Sequence, residues 1–145
     1  MGDDESRRPE VLVSNRQEAR VDETGLASLA SLTLIAEGRG DSELSLSFVT
    51  DDEMAGLHER FMGEPGATDV LSFPLDEPGG DGHVIGDVVV APAVAAANNP
   101  ADPAAEMRLL VVHGVLHLLG YDHEEDEGRA RMWQRQERYA GVRVP

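Results

Sequence analysis

A chain of 145 residues with 41% hydrophobic content and 4% aromatic content has room for one compact core. The absence of cysteine excludes a disulfide framework, a thiolate metal site and a cysteine nucleophile. A net charge of −16, with arginine as every one of the 12 basic residues, excludes the broad basic footprint of a nucleic-acid binder. Contact with a phosphate backbone would have to come from a local arginine patch, a bound metal or a partner that supplies positive charge. The acidity equally suits a high-salt habitat or solubility alone.

Residues 1–9 read as a disordered lead-in. This acidic start lacks the apolar stretch of a secretory signal. It matches the Met-Gly-x-x-x-Ser acylation pattern only formally, without a polybasic second signal. No apolar run reaches the ~18 residues of a membrane span, so the expected location is cytoplasmic.

Glu10 to Ser14 alternates as a short strand. Val21 to Glu37 places Leu26, Leu29, Ala30, Leu32, Leu34 and Ile35 at mainly helical spacing, ending near Gly38 and Gly40. Glu43 to Val49 alternates cleanly, with Leu44, Leu46 and Phe48 on one face. Thr50 caps a helix over Asp51 to Phe61, whose early acids suit the helix dipole. Thr68 to Leu75 is a strand that Pro74 marks as an edge or an end, and Asp76 to His83 is a Gly-rich loop without the Gly-Lys-Ser/Thr of a nucleotide site. Gly86 to Ala91 is a buried strand, and Pro92 to Asn99 begins with a helical turn. Asp102 caps, and Pro103 opens, a helix that runs through His117. Glu124 to Tyr139 forms a last helix with Ala130, Met132, Trp133 and Glu137 on a mixed face. Four strands and about five helices, not strictly alternating, predict an α+β fold: a small mixed four-stranded sheet with the helices packed over it, in one domain over residues 10–145.

The segment His113-Gly114-Val115-Leu116-His117-Leu118-Leu119-Gly120-Tyr121-Asp122-His123 carries the chemistry. His113 and His117 lie one helical turn apart and project from one face. Gly120 accommodates the positive φ that ends a helix, and the turn can bring His123 back as a third imidazole. Three neutral imidazoles leave one position of a tetrahedral zinc open for water, the arrangement of a catalytic site. Nickel, copper and iron also accept such ligands, with zinc the default. The spacing matches the His-x-x-x-His-x-x-Gly-x-x-His frame of metzincin proteases, except that Gly114 stands where those enzymes carry their catalytic Glu. The candidate proton acceptors are Asp122, beside the third histidine, Asp87 on a strand, and Glu106, two helical turns before His113. Each could instead orient a ligand imidazole. The bare Gly114 is expected to leave room beside the metal for a bulky substrate strand.

Together with Thr68-Asp69-Val70-Leu71-Ser72-Phe73-Pro74 and Gly86-Asp87-Val88-Val89-Val90, the histidine segment resembles the YbeY family of bacterial rRNA maturation factors, over nearly the whole chain from about residue 10. The resemblance implies a metal-dependent endoribonuclease for single-stranded RNA, acting in 16S rRNA 3′-end maturation and small-subunit quality control. It implies a zincin-like metal helix with His113, His117 and His123 as ligands of one Zn²⁺ per chain. It also places Thr68, Asp69 and Ser72 near the metal as substrate-binding candidates, although each also has a structural use in capping or packing. The implied partners are rRNA or the small ribosomal subunit and its assembly proteins, with no membrane and no nucleotide cofactor.

Two departures stand out. Many members carry an Arg six residues before the Thr of Thr-Asp-Val, where this chain has Met62. Arg60 is the nearest substitute, two residues away and therefore off that helical face. The stretch Ala93 to Pro103 holds Asn98, Asn99, Pro100 and Pro103, which would interrupt a helix expected to continue. Arg108, Arg129, Arg131, Arg135 and Arg138 are further phosphate-contact candidates; His58 and His83 are expected to be exposed and outside the site. Three functions fit: a zinc-dependent endoribonuclease, a ribosome-assembly factor whose metal is mainly structural, and a zinc hydrolase of another substrate such as a peptide.

Overall fold

The computed structural model describes residues 9–75, 83–121 and 126–141, with the side chain of Asp126 left out. The expectations for the first eight residues, for the 76–82 loop and for Asp122 and His123 fall outside these residues. The elements run β1 (Glu10–Asn15), α1 (Glu23–Ala36), β2 (Glu43–Phe48), α2 (Asp51–Met62), β3 (Val70–Pro74), β4 (Val84–Val90), α3 (Pro92–Asn98), α4 (Pro103–Leu118) and α5 (Asp126–Ala140). The α+β reading holds, with the sheet ordered β1-β2-β4-β3. β1, β2 and β4 are parallel, and β3 closes one edge antiparallel to β4. Pro74 ends that edge strand, where its missing N–H costs no ladder bond.

The period-two patterning decides what lies on each side. Leu44, Leu46 and Phe48 are fully buried beneath α1 and α4, together with Val88 and Val90 of β4. The alternate residues Leu71 and Val89 face the other way, toward Met54 and Leu57 of α2. The sheet therefore separates α1 and α4 from α2. Truncating one of the fully buried Leu or Phe side chains to Ala would cost about 2–5 kcal/mol.

Local signals set the helix ends. Asp22, not Val21, marks the start of α1, its carboxylate accepting from the Gly25 amide at 3.1 Å. The Thr50 hydroxyl accepts from the Glu53 amide at 3.1 Å, and Gly63 closes α2 in the left-handed region at φ +71°. The α1 face differs from expectation: Leu32 and Ile35 are 62% and 52% exposed, whereas Thr33 is buried. Thr33 meets its burial cost by donating its hydroxyl to the Leu29 carbonyl at 2.8 Å. The Asn98–Pro103 interruption does separate two helices. Asn99 caps α3, and Asp102 accepts from the Ala105 amide to start α4.

Candidate metal-bearing site

The Asp102 cap and Pro103 set the phase of α4, and that phase puts His113 and His117 on one face. Their ring centroids are 5.6 Å apart with planes tilted by 57°, and both residues are half-buried. The second wall comes from α5. Its Trp133 sets an edge against His113 at 6.3 Å, and its Gln136 carboxamide oxygen accepts from His113 Nδ1 at 2.9 Å. A carbonyl oxygen only accepts, so Nδ1 carries a proton, and in the neutral ring that leaves Nε2 as the acceptor. Gln136 is only 7% exposed, and His113 satisfies its buried amide oxygen. Sequence reasoning missed this residue. The available signal was its position one turn beyond Met132 on the same helical stripe.

The neighbouring face of α4, about 100° round from His113, explains Gly114. A Cβ there would lie 2.5 Å from Cγ1 of the fully buried Val88 and 3.3 Å from the Ser72 hydroxyl. Gly114 thus faces the sheet at the closest approach of helix and strand, and the space expected beside the metal is instead filled by β4. A glutamate could not stand at this position without displacing the sheet.

α4 ends as its sequence predicts, but in more detail. Gly120 takes φ +99°, its amide bonds the His117 carbonyl at 3.1 Å, and the Tyr121 amide bonds the Leu116 carbonyl at 3.1 Å. These two bonds form a Schellman turn, completed by packing of Tyr121 in the cluster that contains Leu116. The Tyr121 hydroxyl donates to Glu37 at 2.6 Å. His123 and Asp122 follow in sequence, outside the described residues. Among the described residues no three His, Asp or Glu side chains converge on one point. The donor chemistry nonetheless fits a borderline divalent ion: two imidazoles on one face, one with its Nδ1 held by Gln136, and no thiolate in the chain.

The other candidates separate. Asp87 is exposed on the opposite face of the sheet from Val88. There it lines a groove of about 620 Å³ with Leu12, Ser14, Ser45, Ser47 and Phe61. The sheet stands between it and His113, so it is not the proton acceptor. Glu106 shares the His face but lies seven residues away, about 10 Å along the axis and beyond direct proton transfer. Burial, and then the nearby charge of Asp69, push the Glu106 carboxyl above its ordinary range.

Asp69 accepts from the Asn98 amide at 3.2 Å, and the Thr68 hydroxyl approaches Asp69 at 3.5 Å. The Ser72 hydroxyl donates to the Gly114 carbonyl at 3.0 Å, fastening β3 to the histidine helix. Arg60 is exposed on the last turn of α2, its guanidinium 5.9 Å from the Phe61 ring, and Met62 is half exposed beside it. His58 donates to the Gly66 carbonyl and His83 to the Asp41 carbonyl, each serving a local loop. Among the described residues no helix is long and apolar enough to cross a membrane.

Comparison with known proteins adds to this geometry. A family profile described as endoribonuclease YbeY matches residues 12–141. The endoribonuclease YbeY of Thermobifida fusca is 46% identical over 145 residues, covering 90% of this chain and 92% of that one. Its counterpart from Acidothermus cellulolyticus is 44% identical over 138 residues, covering 85% and 84%. The solution structure of TM1509 from Thermotoga maritima aligns with a TM-score of 0.60 at 28% identity, covering 90% of this chain and 86% of that chain.

Proposed function

The chain belongs to the family of endoribonuclease YbeY, and on that premise we propose that it is a zinc-dependent endoribonuclease for single-stranded RNA, working in 16S rRNA 3′-end maturation and small-subunit quality control. Its substrate is then rRNA, met on the small ribosomal subunit among assembly proteins, in the cytoplasm. The observation that carries the metal dependence is the His113–Gln136 bond at 2.9 Å on the face shared with His117.

His113, His117 and His123 would hold one zinc ion. When bound, zinc supplies a water with a pKa of about 7 and a positive charge for the scissile phosphate. The chain's own residues do the rest. Gln136 keeps a proton on His113 Nδ1, so that Nε2 is the atom that would ligate the zinc. With Asp87 across the sheet and Glu106 about 10 Å along the helix, Asp122 is the proposed proton acceptor. Arg60, Thr68, Asp69 and Ser72 are the proposed substrate contacts, with Ser72 also holding β3 to α4. A peptide hydrolase of the zincin type would need a glutamate where Gly114 meets Val88.

The charge of −16 and the exposed Met62 favour a second reading, an assembly factor whose metal is mainly structural. Incubating zinc-loaded protein with a single-stranded RNA carrying the 16S 3′ precursor end separates the two. Cleavage that disappears in the chelated protein and in His117→Ala supports the nuclease. An intact RNA with verified zinc loading supports the assembly factor.

A further inference from the structure

Glu37 is 76 residues before His113, yet three side chains from the far end of the chain meet its carboxylate. Tyr121 donates its hydroxyl to Oε1 at 2.6 Å, Tyr139 donates to Oε2, and Arg135 Nε stands 3.8 Å from Oε2. The Glu37 side chain is only 12% exposed. Its position is electrostatically poor for its own helix. It caps the C-terminus of α1, where the dipole disfavours an anion, and the last turn of α1 carries no basic residue. The stability of α1 therefore does not account for a carboxylate here; the two tyrosine donors and the nearby guanidinium do.

These three side chains lead to the histidine site by two separate routes. Tyr121 closes the Schellman turn of α4 through its backbone and meets Glu37 through its side chain, so both ends of the residue are held, and His123 follows it by two residues. Tyr139 and Arg135 flank Gln136 on α5, the residue that holds the His113 proton. Resting on the metal reading above, we infer that Glu37 is a positioning residue for the metal centre. Its carboxylate holds Tyr121 at the end of α4, and at the same time docks the α5 segment that orients His113. The clamp thus converts packing of α1 against α4 and α5 into alignment of ligands that α1 does not itself supply.

The test is zinc affinity, measured by competition with a chromophoric chelator on metal-free protein, with the visible absorption of the cobalt-substituted protein as a second readout. Tyr121→Phe removes one oxygen and leaves the ring packed. It is expected to weaken zinc about tenfold, the low end for losing a group that supports a ligand, and to alter the cobalt spectrum, with the circular dichroism of the metal-free protein unchanged. Glu37→Ala should lose at least as much, and Glu37→Gln, which keeps an acceptor oxygen, should regain part of it. If wild type binds zinc and Tyr121→Phe binds it equally well with the same cobalt spectrum, the clamp is merely structural and the inference fails. If wild type itself binds no zinc, the metal reading fails first and takes the inference with it.

Discussion

Gln136 on α5 and Gly114 within α4 each make a prediction a single substitution can check. Gln136→Leu keeps the bulk but removes the acceptor of the His113 proton. The ring is then free to change tautomer, and zinc affinity should fall about 10–100-fold while secondary structure is retained. Titration against a competing chelator reads the change; an unaltered affinity would show that packing by Trp133 suffices to orient the ring. Gly114→Ala sets two effects against each other. Alanine gains up to about 1 kcal/mol of helix propensity, but its Cβ would meet Val88 at 2.5 Å. Overpacking costs about 1–3 kcal/mol, and because Val88 is stiff and fully buried the clash should win. Denaturant unfolding should show a net loss of stability, and a neutral or stabilised variant would mean that α4 can move off the sheet.

At the level of elements, α4 is the piece on which the account turns, and its N-terminal half carries a pH signature. Glu106 has its folded pKa raised above the ordinary 4.5, by burial first and by Asp69 second. The folded protein therefore holds this proton more tightly than the unfolded chain. The contribution to stability is fully present below the unfolded value and is lost as pH rises through the folded one. Glu106→Gln should accordingly melt higher than wild type at neutral pH, and the advantage should vanish below pH 4.5. A melting difference that does not depend on pH would contradict the burial argument.

α4 was the most legible element in the sequence, because Asp102-Pro103 and Gly120 state its ends chemically and the histidine spacing states its face. Other assignments failed where periodicity carries too little information. Leu32 and Ile35 sit at helical spacing, but spacing alone cannot say where a helix stripe stops, and Thr33 took the buried place through a bond to its own helix. Asp87 could be placed on a strand, while the face it occupies depends on which helix covers which side of the sheet. The contacts of Gln136 and Glu37 were illegible for a stronger reason. Their roles exist only once α5 and α1 have docked against α4, and no local pattern encodes a contact across 23 or 84 residues.

For the whole molecule, the central tension is between an RNA substrate and a charge of −16. Such a protein repels a phosphate backbone at long range, so affinity cannot come from a general basic surface. The charge to meet the phosphate must then be concentrated, and the metal proposed for the histidine face of α4 would supply it. The proposed metal is then needed for more than generating a nucleophile. The measurement that tests this most directly is the initial rate of single-stranded RNA cleavage as zinc is added back to metal-free protein. The account predicts no cleavage at the start, a rate that climbs with added zinc and levels off at one ion per chain, and a flat line for His117→Ala. Full cleavage by the metal-free protein, or by His117→Ala, would contradict it.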